Sequence, residues 1–210
     1  MTDRQIYVDL DDVLSETARA FTGLLEQEFK KRVDFEEIFS FDLAQSFGLS
    51  VEELERFMRL VHLPEFLSAL EPVDGAVDGL NELASLGYEI AVVTGRPPLT
   101  AEVSQAWLER HGVPYDRLTF VDKYGRGGFG AADNSAITLD ELTQSSFCFA
   151  VEDSSDMAAF LTAKMKVPVA LLERPWNREA QFSDPQSLAL IKRYAHWPAI
   201  VERFDAHRGI

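Results

Sequence analysis

An α/β protein with a doubly wound parallel sheet and a small helical cap inserted after its first strand is the fold class predicted for this 210-residue chain. Three observations predict it. Short β-branched and aromatic runs alternate with longer helical patterns, the repeating unit of a parallel sheet. Each apolar run passes directly into a polar cluster, as strands do at the carboxyl edge where such sheets bind ligands. Only residues 14–70 break the alternation, because they contain no convincing strand.

The first strand is expected at residues 6–9, a short apolar run closed by Asp9. Within 14–70, Ser50 followed three residues later by Glu53, just ahead of Leu54, Phe57 and Met58, is a capping box that opens a helix. So long a helical stretch exceeds one crossover. The chain therefore divides into a core domain, 1–13 and 71–210, and a helical cap subdomain, 14–70, with re-entry into the core around residues 70–76. A second strand follows at 89–94. A helix at 100–111 carries Val103, Ala106 and Trp107 at helical spacing and stops at Gly112. Further strands are expected at 118–121, 147–151 and 167–172, with a short helix at 139–143 and the lone Cys148 buried in the fourth strand. Residues 173–210 read as a loop and a terminal helix, with Trp176 packing over the sheet edge.

Charge narrows the function classes. Lys and Arg number 20 against 35 Asp and Glu, a net charge of −15, so a nucleic-acid polymer and an anionic membrane surface are both excluded as partners. The residues after Met1 lack the basic-then-apolar layout of a signal peptide, and no run has the roughly 18 apolar residues of a membrane span. A cytoplasmic location is the expectation. One cysteine excludes an internal disulfide and a cysteine zinc site.

The polar residues at the strand ends are the candidate site. The first strand runs into Asp9-Leu10-Asp11-Asp12-Val13, the second into Thr94-Gly95-Arg96-Pro97, the third into Asp122-Lys123-Tyr124-Gly125 and the fourth into Glu152-Asp153-Ser154-Ser155-Asp156. Acids from two strand ends would converge on one crevice with a hydroxyl and a cationic side chain. So many carboxylates require a cation to offset their repulsion. Oxygen donors without Cys or paired His favour a hard divalent ion such as Mg²⁺.

The motifs D-L-D-D-V-L from Asp9, V-V-T-G-R-P from Val92 and V-E-D-S-S-D from Val151 resemble those of the haloacid dehalogenase-like (HAD) hydrolase superfamily, in order and in spacing along essentially the whole chain. The helical insertion and the stretch P-V-A-L-L-E-R-P-W-N-R, residues 168–178, most resemble its 5'-nucleotidase group, which includes the 5'(3')-deoxyribonucleotidases. The resemblance implies a Rossmann-like core and a phosphomonoesterase acting on a small phosphorylated partner, with a nucleoside or deoxynucleoside monophosphate leading. It makes Asp9 the nucleophile, a carboxylate already ionised at neutral pH, and Asp11 the general acid and base. Asp9, Asp153 and the main-chain carbonyl of Asp11 would hold Mg²⁺. Thr94 and Lys123 would contact the phosphoryl oxygens, where most catalysis of phosphoryl transfer lies, with Gly95, Arg96 and Arg126 as further substrate contacts.

Several residues carry two readings. Arg126 is the substitute for Lys123. Arg96 serves either a phosphate or a salt bridge to a surface acid, and Asp156 either holds a metal-bound water, orients Lys123, or caps a helix. Glu152, where relatives often have Gly, is a second metal contact or a supporting acid. Residues 125–130 form a phosphate cradle or a surface loop. Phe39, Phe41, Phe47 and Phe66 offer a base-stacking face or pack the cap, and His62, His111, His196 and His207 are structural or exposed. Phosphotransferase or mutase chemistry, sugar phosphates, a receiver-type signalling module and a non-catalytic phosphate binder are the competing functions. A homodimer is the one assembly kept open.

Overall fold

A computed structural model describes residues 4–123 and 136–206. Its elements run, in chain order, β1 (Gln5–Asp9), α1 (Thr17–Phe29), α2 (Leu43–Phe47), α3 (Val51–Val61), α4 (Pro64–Ser68), α5 (Ala76–Ser85), β2 (Glu89–Thr94), α6 (Ala101–Arg110), β3 (Arg117–Phe120), α7 (Leu139–Leu142), β4 (Phe149–Glu152), α8 (Ser155–Met165), β5 (Val169–Leu172), α9 (Pro185–Leu190), β6 (Ile191–Tyr194) and α10 (Trp197–Ala206). Short 3₁₀ turns occupy Phe35–Glu37, Pro98–Thr100 and Pro175–Asn177. The six strands form one parallel sheet in the order β3-β2-β1-β4-β5-β6. The chain winds outward from β1 in one direction and then restarts on its other side at β4. The crevice between these two strands is the switch point at which such sheets bind ligands.

Helices cover both faces, so the strands are buried on both sides and read as nearly continuous apolar runs. Alternation still sorts the side chains. Ile6, Val8, Ile90, Val92 and Val151 pack with Leu80, Trp107 and Trp197 on one face, while Tyr7, Ala91, Val93 and Ala150 pack with Met157 and Leu161 on the other. Each such aliphatic side chain, fully buried, stabilises the fold by about 1.5–3 kcal/mol. Trp107 and Trp197 satisfy their indole N–H groups on the carbonyls of Leu70 and Val13, both at 2.8 Å. A β-carbon on Gly79 would lie 3.0 Å from the Trp197 ring and from Val201, so this glycine permits the close approach of α5 to α10.

Helices α1–α4 occupy the expected strandless stretch and pack around their own cluster of Ala18, Leu25, Ile38, Phe47, Leu49, Phe57 and Val61. The capping box forms as expected: Ser50 Oγ accepts from Glu53 N, and Glu53 returns a carboxylate to Ser50 N. Two connecting segments join this layer to the sheet and pair with each other, Glu16 N to Glu71 O and Val73 N to Leu14 O, both 2.8 Å.

The C-terminal stretch differs from expectation. Beyond the loop it contains α9 and a sixth strand, β6, before the terminal helix. β6 is Ile-Lys-Arg-Tyr at the sheet edge, where one flank stays open and charged side chains are tolerated. That composition hides it from a search for apolar runs. Cys148 precedes β4 and is half-buried rather than enclosed. Among the described residues, no helix is long and apolar enough to cross a membrane.

Candidate active site

At the carboxyl end of β1, Asp9 is nearly enclosed, and its Oδ1 accepts a 2.7 Å hydrogen bond from Lys123 Nζ. The same ammonium reaches Glu152 Oε1 at 2.8 Å, and the Lys123 side chain is only 2% exposed. Glu152 Oε1 also accepts from Tyr7 Oη at 2.8 Å, while Oε2 accepts the main-chain N–H groups of Asp153 and Ser154 at 2.9 and 2.8 Å. Four donors occupy this one buried carboxylate. Glu152 is therefore an anchor that aims Lys123 at Asp9, the role assigned to a fully hydrogen-bonded buried charge.

Carboxylate oxygens of Asp9, Glu152 and Asp153 all lie within 4.8 Å of one another. Three buried acids against one ammonium leave negative charge uncompensated. Burial, with Lys123 opposing and Glu152 and Asp11 adding, pushes the Asp9 carboxyl up to about 7, so it is not the fully ionised carboxylate expected at neutral pH unless a cation offsets the repulsion. Burial and the neighbouring Glu152, Asp9 and Asp12 push Asp153 well above the usual carboxylate range. An all-oxygen cluster under this repulsion fits a divalent cation. Because Glu152 is saturated, Asp9 and Asp153 are the better donors within it. Asp11 enters the expected ligand set through its main-chain carbonyl, since its carboxylate is engaged elsewhere.

That engagement corrects the expectation for Arg96. Its guanidinium is buried and grips Asp11 with Nε at 3.0 and 3.1 Å from the two carboxylate oxygens and Nη2 at 2.7 Å from Oδ1. Ser104 Oγ accepts from the remaining nitrogen, Nη1, and Ser15 Oγ accepts a second bond from Nη2. Arg96 thus pairs with the expected acid and base, not with an acid on the surface. Thr17 Oγ1, at the start of α1, donates to Asp11 Oδ1 at 2.6 Å. Burial would raise the Asp11 carboxyl, but the charge and hydrogen bonds of Arg96, with the Thr17 bond, hold it below the usual range.

Between these acids and α1 the backbone makes a tight turn at Asp12, which has φ of +59°, a left-handed value that is uncommon outside glycine. Three contacts hold it there: Asp12 N to Ser15 O at 2.8 Å, Ala18 N to Asp12 Oδ1 at 2.9 Å, and Arg174 Nε to the Asp12 carbonyl at 2.8 Å. The Ala18 bond also supplies the capping acceptor that Glu16, at the start of α1, does not provide.

A cavity of about 140 Å³ opens over these groups. Asp9, Asp11, Asp12, Gly95, Arg96 and Lys123 line it from the sheet loops, and Phe21, Ile38, Ser40, Phe41, Met58 and His62 line it from the helical layer. Thr94 is fully buried and outside this lining. Its Oγ1 accepts the N–H of Arg96 at 3.1 Å, so it shapes the turn that carries Gly95 and Arg96. Asp156 sits exposed in the first turn of α8, and the orientation of Lys123 comes from Glu152 instead. Arg126 and residues 125–130 lie outside the described residues. Of the aromatic candidates, Phe41 lines the cavity, Phe47 and Phe66 pack within the helical cluster, and Phe39 is exposed. His62, expected to be structural or exposed, is half-buried at the cavity wall, whereas His111 packs on Trp107.

Trp176 is the clearest residue the sequence reading misplaced. Far from covering the sheet edge, it lines the cavity and donates its indole N–H to Asp153 Oδ2 at 2.9 Å. A signal was present: Trp176 follows the carboxyl end of β5 by only a few residues, and the acids stand at the carboxyl ends of β1 and β4.

Residues 4–164 match the family model described as 5' nucleotidase, deoxy (pyrimidine), cytosolic type C protein. "Putative nucleotidase BH1399" of Halalkalibacterium halodurans is 24% identical over 202 residues, 96% of this chain and 94% of that protein. "Putative 5'(3')-deoxyribonucleotidase" of Chlorobaculum tepidum is 28% identical over 127 residues, 55% of this chain and 61% of that one. In fold, a HAD family hydrolase from Deinococcus radiodurans, solved with bound phosphate and sodium, superposes with a TM-score of 0.63 at 16% identity, over 98% of this chain and 96% of that one.

Proposed function

Because the chain belongs to the cytosolic type C 5' nucleotidase family of HAD-like phosphatases, we propose that it is a Mg²⁺-dependent phosphomonoesterase acting through an aspartyl-phosphate on nucleoside or deoxynucleoside monophosphates. One observation carries the reading: Asp9 and Asp11 share a single cavity, the first held by Lys123 and the second by Arg96 and Thr17. In the proposed first step a carboxylate oxygen of Asp9 attacks phosphorus, the ester P–O bond breaks, and the leaving alkoxide takes a proton from Asp11. In the second, Asp11 takes a proton from water as that water attacks the aspartyl-phosphate, releasing inorganic phosphate. Lys123, aimed by Glu152, faces the charge that develops on the phosphoryl oxygens. Asp9, Asp153 and the Asp11 carbonyl would hold Mg²⁺, which supplies positive charge against the transferring group.

An Asp11 kept ionised by Arg96 can accept a proton but has none to give. The Arg96–Asp11 pair must therefore open, and Asp11 must take up a proton from solvent, before the leaving group is protonated. Thr17 begins α1, so movement of the 14–70 cap, which we take to close over the cavity, would change one of the contacts that hold Asp11. The nucleotide preference is supported by the family and by Phe41 and Trp176 at the cavity wall, aromatic faces of the kind on which bases stack. The test is phosphate release from nucleotides, deoxynucleotides, sugar phosphates and p-nitrophenyl phosphate, with Mg²⁺ or EDTA, in wild type and Asp9→Asn. Release that needs Mg²⁺ and vanishes in the variant is expected. Activity retained by Asp9→Asn would sink the mechanism, and a preference for sugar phosphates would overturn the substrate class.

A further inference from the structure

Segment 174–178 touches both the acid cluster and the helical layer. On the acid side, Trp176 Nε1 donates to Asp153 Oδ2 at 2.9 Å, and the next residue, the fully buried Asn177, donates to the Asp153 carbonyl at 2.8 Å and to the Leu172 carbonyl at 2.9 Å. Side chain and backbone of Asp153 are thus gripped by consecutive residues. On the helical side, the Trp176 ring meets the edges of Phe35 and Phe41 at centroid distances of 5.8 and 5.7 Å. Arg178 Nη1 reaches Glu36 Oε2 at 2.7 Å, an exposed pair that adds little energy but marks the same approach.

An indole nitrogen is a donor only. It can occupy one oxygen of Asp153 without competing for a cation, and in doing so it fixes the plane of the carboxylate and the direction of the other oxygen. Groups that orient a metal-binding carboxylate in this way typically change metal affinity by about 10–100-fold when removed. The ring of the same residue leans on two side chains of the cap, so a shift of the cap shifts the indole and with it the acid.

We propose that Trp176 is a positioning residue that orients Asp153 for the divalent cation and transmits the position of the cap, through Phe35 and Phe41, to that cation site. This rests on Asp153 being a cation ligand, as in the proposed function. Coupling of this kind is reciprocal: whatever cap closure adds to cation affinity, the cation returns to closure.

The test titrates Mg²⁺ alone into the substrate-free full chain, followed by calorimetry and by tryptophan emission. Trp107 and Trp197 are buried with their indoles on main-chain carbonyls, so an emission change on Mg²⁺ binding is expected to come from Trp176 and to be missing from Trp176→Phe. That variant keeps an aromatic ring and loses the N–H. It should bind Mg²⁺ about tenfold more weakly, and Phe35→Leu, at a residue outside the cavity lining that meets the site through Trp176, should weaken binding about fivefold. Asp153→Asn separates the two levels of the argument. If it loses Mg²⁺ binding while Trp176→Phe binds as wild type, the positioning role is overturned and the cation site stands. If Asp153→Asn binds Mg²⁺ unchanged, the cation reading fails and takes this proposal with it. Should Trp176→Phe not fold by circular dichroism, Phe35→Leu carries the test, and unchanged affinity there overturns the coupling.

Discussion

The two sides of the cavity are built differently. On the sheet side nearly every polar group is buried and held by several partners: Lys123 by two acids, Glu152 by four donors, Arg96 by Asp11 and two serines. On the helical side the lining is mostly apolar, and its Phe41 is 37% exposed. A network with every bond made resists rearrangement, because each group that moves leaves a buried partner unsatisfied. An apolar wall with an exposed ring loses little by shifting. On the proposed reading, reaction chemistry falls to the more tightly held side, with the Arg96–Asp11 pair the one contact there that must open, and adaptation to the ligand to the other.

The largest expected effect breaks the sheet side. Asp9→Asn should lower kcat on the order of 10⁴-fold or more while the chain stays folded, checked by phosphate release alongside a thermal melt. A loss below a hundredfold would mean that another group is the nucleophile. Next, Lys123→Met removes the only ammonium between Asp9 and Glu152 among the described residues and leaves their charge buried. A cost of about 3–5 kcal/mol is expected from urea denaturation; less than 1 would show that the network is looser than its bond lengths suggest.

Cation and pH sharpen the same contrast. In the folded protein, burial raises Asp9 from 3.8 to about 7 and Asp12 from 3.8 to about 8. Carboxyls raised by folding stabilise fully below their unfolded value, and that contribution is lost as pH climbs through the folded one. Without divalent ions the melting temperature should therefore fall between about pH 4 and pH 8. Mg²⁺ at a hundredfold excess over its Kd restores about 2.7 kcal/mol, with a larger increment at pH 8 than at pH 5, where protons compete for the same oxygens. Equal increments at both would contradict a carboxylate site. The smallest effect tests the adaptable side. Phe41→Ala should raise KM for nucleoside monophosphates about tenfold, the loss of one stacking contact, with a lesser change for p-nitrophenyl phosphate. An equal change for both would remove base stacking from the account.

What was legible in the sequence follows the same division. Strands β1, β2, β4 and β5 show as apolar runs because both faces are covered, and the site's acids stand at or just beyond the ends of β1 and β4 in the chain. β6 was missed because an edge strand can carry Lys192 and Arg193. The partner of Arg96 is 85 residues away in Asp11, and that of Trp176 is 23 residues away in Asp153. Local spacing shows where a side chain begins, not which distant group it meets. Lys123 was found by its place after a strand, and Glu152, the acid that aims it, was read as a second metal contact or a supporting acid, a choice that only its four donors decide.

The hydrogen-bonded neck at Leu14–Glu16 and Glu71–Val73 has a consequence for the history such a chain can have. The ends of everything between them are neighbours, with Ser15 bridged to Pro72. A shorter, longer or unrelated module could be spliced there with almost no loop-closure cost and without rerouting the strands that carry Asp9, Lys123 and Glu152. Substrate range could then change by exchange of one segment while the phosphoryl chemistry is inherited intact.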